Sequence, residues 1–163
     1  MSAIDDVIKY VSTNEIKWID LQFYDLKGSL HRTSISSRKL DDSSFGNGVH
    51  AADLSETFGQ NSDELLLLPD PDTLARLPWE QSTIRLMCDV VSAVKKERFV
   101  KDPRFVAEKA ETAVTAAGVK YALIGVDVDC HIFESATMDR LGRARGSGMA
   151  MESKEAKWSV SSN

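Results

Sequence analysis

The sequence predicts an α+β fold: a β-rich module over residues 1–99, followed over residues 100–163 by the opening of a second α/β unit. Three observations carry this. The segment IKWIDLQFYD alternates apolar Ile19, Leu21 and Phe23 with Asp20, Gln22 and Tyr24, which is the period of a half-buried strand. Two later runs, ELLLL and STIRLMCDVV, are also strand-like. Then DPRFVAEKAE opens a capped helix that leads into a further apolar run, YALIGVDVDCHIF.

The elements follow in order. Ile4, Val7, Ile8 and Val11 recur at helical spacing, so Ala3 to Tyr10 forms a short amphipathic helix, with Ser2 placed to cap it. Asp25-Leu26-Lys27-Gly28 is a turn with a glycine free to take positive φ. SLHRTSI returns from it, completing a β-hairpin from about Ile16 to Ile35. Ser36 to Gln60 is irregular: Ser43, Ser44, Gly46, Asn47 and Gly48 read as loop, and so does Asp53 to Gly59. Glu64 to Leu68 is a short strand that Pro69-Asp70-Pro71-Asp72 ends, because proline offers no ladder donor. Ser82 to Val91 is the next strand, with Ile84, Leu86, Cys88 and Val90 on one face.

Asp102 can cap the following helix, Pro103 suits its first position and Gly118 can terminate it. Val106, Ala110, Ala113, Val114 and Ala117 form its apolar stripe. Tyr121 to Phe133 reads as a strand, and the Gly- and Ser-rich sequence from Ser135 onward reads as a loosely ordered tail. A lone helix and strand cannot bury their faces, so the second unit reads as the start of something larger.

Composition narrows the function. The net charge is −5, and the densest basic cluster before the tail is Lys95, Lys96 and Arg98, which reads as solvated surface. Nucleic acid is therefore not an expected partner, since phosphate binding needs clustered cations. No window approaches a membrane span, and MSAIDDVIKYV is too acidic and too short in apolar length for a signal peptide. Cys88 and Cys130 read as reduced core residues, and the expected compartment is the cytoplasm.

The chemistry-bearing stretch is GVDVDCHIF. Asp127 and Asp129 stand at i and i+2, so a strand places both carboxylates on one face. Two such groups repel unless they are solvated or share a cation. On their own the residues leave both readings open. His31 reads as a hairpin surface or packing residue, and His131 points to the face opposite Asp129; neither has ligand-spaced neighbours for zinc.

Taken in order, the hairpin IKWIDLQFYDLKG, the strand ending LLLLPDPDT, the strand RLMCDV, the helix opening DPRFVAEKAE and the strand GVDVDCHIF resemble the N-terminal part of glutamine synthetase, over about Glu15 to Phe133. The resemblance implies a β-grasp domain followed by the first helix and strand of the catalytic domain. It also implies an ATP-dependent ligase that joins ammonia to glutamate with Mg²⁺ or Mn²⁺, in a homo-oligomer with active sites between subunits. Asp127 and Asp129 match the two glutamates of the family's GPEPEFF strand, which implies that they are metal ligands. Asp53 matches the aspartate of the family's DGSS loop, which implies a catalytic role in binding and deprotonating ammonium in a neighbour's site.

The chain departs from that pattern at three places. Aspartate for glutamate at 127 and 129 withdraws each carboxylate by about 1.3 Å, one bond length, against the strict geometry of Mg²⁺. Val126 and Val128 stand where the family has prolines. In ADLSE, Leu54 replaces a glycine and Glu56 a serine. The family's remaining metal ligands, its glutamate-binding residues and its phosphate-holding arginines lie beyond the matched stretch. Arg140, Arg143 and Arg145 have no helix or P-loop to aim them at phosphates. The expectation is therefore of a truncated chain, inactive alone. Two alternatives stand beside it: a non-catalytic β-grasp module pairing with a larger synthetase subunit, and a related γ-glutamyl ligase for another amine.

Overall fold

In a computed structural model, residues 2–51, 54–59, 65–127, 135–138 and 144–147 are described. They fall into two units, divided after Lys120.

The first unit begins with helix α1 (Ala3–Thr13), closed at its start by a capping box. The Ser2 side chain accepts from the Asp5 N–H, and the Asp5 carboxylate accepts from the Ser2 N–H. Strands β1 (Trp18–Tyr24) and β2 (Leu30–Ser36) form the expected antiparallel hairpin, with Gly28 at φ +83° in its turn. A mixed sheet follows, in the order β2-β1-β5-β3. Strand β5 (Glu80–Ser92) is its spine: it runs parallel to β1 and antiparallel to both β3 (Leu65–Pro69) and β4 (Ala75–Leu77).

The core lies on one face of this sheet. Ile19, Leu21 and Phe23 of β1, Leu65 and Leu67 of β3, and Ile84, Leu86, Cys88 and Val90 of β5 are fully buried there. Val7 of α1 packs on them, as do Phe45 of α2 (Asp42–Asn47) and Leu54 and Phe58 of α3 (Leu54–Phe58). Alternation predicts the right core residues, but the opposite face of β1 is buried at its centre, between the exposed Trp18 and Tyr24. Asp20 is 2% and Gln22 7% exposed. A strand flanked on both sides has its side chains covered by cross-strand neighbours on either face. Asp20 accepts from the Ser34 hydroxyl (2.5 Å) and from Arg32 (3.3 Å) on β2.

Two stretches read as loop are short helices. Asp41 caps α2 by accepting from the Ser44 N–H, and the buried Phe45 anchors it. Leu54 and Phe58, four positions apart, hold α3 to the core. Polar composition hid both, since each helix has only one or two apolar anchors. Strand β4 was also unread, because at three residues it has too few positions for a period to appear.

Helix α4 (Pro103–Ala116) has Asp102 as its cap and Gly118 at φ +86° just past its end, as the sequence predicts. Its apolar stripe is not covered: no residue of α4 is buried, and Val106 is 49% exposed. In the second unit, Tyr121 to Asp127 carries no regular secondary structure, contrary to the strand expected there. Among the described residues nothing pairs with its backbone, and a strand without a ladder leaves its N–H and C=O groups to water. The tail is also more regular than its composition implies. β6 (Ser135–Met138) and β7 (Ala144–Ser147) pair antiparallel, with Ser135 opposite Ser147.

Candidate functional site

Of the three residues singled out by the sequence, only Asp127 lies among the described residues. Asp53 and Asp129 lie outside the described residues, as do Cys130 and His131. On either side of Asp53, Ala51 (3% exposed) and Leu54 (0%) are seated in the core. Asp127 is exposed in the irregular segment. Among the described residues no group of three or more His, Cys, Asp or Glu side chains is placed to hold a metal ion.

The described residues do assemble a charged cluster where α4 meets the sheet. Asp102, 1% exposed, uses both carboxylate oxygens: one accepts from the Arg104 N–H, capping the helix, and the other from the Val90 N–H of β5, each at 3.1 Å. Arg104 then reaches back across the sheet. Its Nε donates to Asp89 of β5 (2.8 Å) and its Nη2 to Asp70 in the β3–β4 turn (2.6 Å). Arg98 contacts Asp89 (2.9 Å), Asp102 (3.3 Å) and Glu108 of α4 (2.9 Å), and its guanidinium lies 5.2 Å from the centre of the Phe105 ring. The basic cluster read as solvated surface is therefore partly structural. Lys96 likewise donates to the Asn47 carbonyl (2.9 Å).

The electrostatics follow from this packing. Burial pushes the Asp102 carboxyl above its ordinary value, against the pull of the Val90 and Arg104 N–H groups and of Arg98. Burial works against the Arg104 cation, but Asp89 and then Asp70 outweigh it and hold its pKa above the usual arginine value. Both guanidiniums are committed to carboxylates, so neither serves as a phosphate clamp in this arrangement. Burial also raises the Cys88 thiol, which leaves it protonated and unreactive.

A smaller cluster closes the hairpin. His31 Nε2 lies 3.0 Å from Asp25 Oδ2, and its ring stacks on Phe23 at 5.3 Å. The hydrogen bond from His31, with the Ser29 and Lys27 N–H groups, lowers the Asp25 carboxyl to about 2. Packing against Phe23 agrees with the role expected of His31.

The motifs PDPD and CDV each hold one member of the α4 cluster, Asp70 and Asp89, and DPR holds two, Asp102 and Arg104. Only the strand register, with Pro69 opposite Cys88, brings Asp70 and Asp89 to the same arginine. That pairing has no local signature in the sequence.

Comparison with known proteins bears on the same stretch. A family model described as the β-grasp domain of glutamine synthetase matches residues 15–93. A glutamine synthetase of Sulfolobus acidocaldarius is 35% identical over 158 residues, covering 94% of this chain and 33% of that protein. A 3-hydroxylaminophenol mutase of Cupriavidus pinatubonensis is 32% identical over 162 residues, covering 96% of this chain and 34% of that protein. The chain thus spans about a third of the length of these curated relatives. Among solved structures, that of GmaS in its apo form without ligand matches with a TM-score of 0.60 at 23% identity, over 69% of this chain and 26% of that one. At that identity the likeness speaks for the fold alone.

Proposed function

Because the chain belongs to the glutamine synthetase family through its β-grasp domain, we propose that it supplies the N-terminal part of an ATP-dependent ligase that joins ammonia to glutamate. One observation carries the proposal. The similarity to a glutamine synthetase does not stop with the β-grasp domain but runs over 94% of the chain, a span too long to omit the region of Asp127. In this reading Asp53 binds ammonium and accepts its proton in a neighbouring subunit's site, a task suited to a carboxylate. Asp127 and Asp129 would be ligands for Mg²⁺ or Mn²⁺, which take hard oxygen donors, and the ion would screen the phosphates of ATP. Of the three, Asp127 lies among the described residues. The protein would act in the cytoplasm, as an oligomer or beside a larger synthetase subunit.

Manganese titration followed by electron paramagnetic resonance tests the metal assignment. Saturable binding that weakens about tenfold or more in the Asp127→Asn, Asp129→Asn double variant is expected, since two carboxylates would lose their charge. Binding unchanged in the variant, or none in either protein, would overturn it.

A second reading is favoured by the α4 network, whose two guanidiniums are both committed to carboxylates. Here the chain is a non-catalytic β-grasp module that pairs with a larger synthetase subunit. Its open sheet edge at β2 suits strand addition. Co-sedimentation with that subunit is then expected, and a persistent monomer in its presence would exclude it. A ligase for another amine shares the first reading's site and is separated from it by the amine that supports turnover.

A further inference from the structure

We infer that Arg104 is a positioning residue: it fixes the N-terminal end of helix α4, and with it the helix's angle, to the β-grasp sheet. Apolar packing does not do this. No residue of α4 is buried, and Val106 and Val114 of its stripe are 49% and 39% exposed. A helix of 14 residues without a packed face is marginal in water. What holds it is polar and lies at one end.

The geometry of that end specifies an angle as well as an attachment. A single hydrogen bond leaves rotation about itself free. Arg104 makes two, at 2.6 Å to Asp70 in the β3–β4 turn and 2.8 Å to Asp89 of β5, from two nitrogens of one rigid plane. Asp102 adds a third point by bonding β5 at Val90 and the helix at Arg104. Arg98 adds a fourth, from Asp89 to Glu108 in the second turn of α4. Lysine at 104 would keep the charge but lose the planar fork, so it would meet one carboxylate at a time. A bearing of this attachment on catalysis rests on the reading above, in which the sequence beyond α4 carries Asp127 and Asp129. The attachment itself does not depend on that reading.

Hydrogen–deuterium exchange read by mass spectrometry separates the two. In Arg104→Ala, amides of 103–116 should exchange about tenfold faster or more, while those of β1 and β5 stay within about twofold of wild type. Arg104→Lys should recover part of the protection, a rescue that filled volume alone would not explain. Asp70→Asn removes one of the two anchors without touching the buried core, and should give an intermediate rate. The proposal is overturned if α4 exchanges freely in the wild type, if Arg104→Ala and Asp70→Asn leave α4 unchanged, or if the sheet loosens as much as the helix. Failure of the metal titration would remove the functional reading and leave these rates as they are.

Discussion

Replacing Asp102 by alanine removes three things at once, and their sum can be worked from the structure. The helix loses its cap, which is worth about 1 kcal/mol. The Val90 N–H is left inside the sheet without an acceptor, at a cost of about 1–3 kcal/mol. Against these stands relief, because the carboxylate is 1% exposed and burial already disfavours its charge. A net loss of about 2–3 kcal/mol is expected, which in a unit of this size lowers Tm by about 10 °C. Urea denaturation with the slope held in common measures it. The pH dependence has a definite sign. The folded-state pKa of Asp102 is raised above 3.8, so the folded chain holds this proton more tightly than the unfolded one. Its contribution is fully present below pH 3.8 and is lost as pH rises through the raised value. The gap between wild type and Asp102→Ala should therefore be wider at pH 3 than at pH 7. A loss under about 0.5 kcal/mol at both pH values, within the range of ordinary surface substitutions, would refute the reasoning.

Other outcomes follow from the same packing. Leu21→Ala or Ile84→Ala, at fully buried positions, should each cost about 2–5 kcal/mol in the same denaturation assay. Gly48 has φ +79°, and a Cβ there would meet Leu66 Cβ at 3.0 Å and the Leu67 carbonyl at 3.2 Å, whereas Gly28 at φ +83° faces open space. Gly48→Ala should therefore lower Tm clearly more than Gly28→Ala. Asp25 is held at about 2, below its ordinary 3.8, so its stabilisation of the hairpin turn is present above 3.8 and lost as pH falls through about 2. Amide chemical shifts of Lys27 and Ser29 should follow that titration and lose it in Asp25→Asn.

How much of this was legible depends on the range over which each signal acts. The hairpin, the cap at Asp102 and the core residues Ile19, Leu21 and Phe23 are local patterns, and the sequence carries them openly. Short helices such as α3 are set by two anchors in the tertiary core, which no period over five residues can announce. The burial of Asp20 follows from β1 having neighbours on both sides, a fact of topology. Of the candidate site, the residue types are readable through the family resemblance, and of Asp53, Asp127 and Asp129 only Asp127 lies among the described residues. The Arg104 cluster was spread over three motifs whose meeting depends on strand register.

The role proposed for Asp53 is to bind ammonium in a glutamate–ammonia ligase site. Its most direct test is ATP- and glutamate-dependent turnover with ammonia, measured on the protein isolated from its own cells, wild type against Asp53→Ala. In the variant, turnover should fall by about tenfold or more through a raised KM for ammonia, with the KM for glutamate little changed. Turnover indifferent to Asp53, or no glutamate-dependent cleavage of ATP at all, would contradict that role.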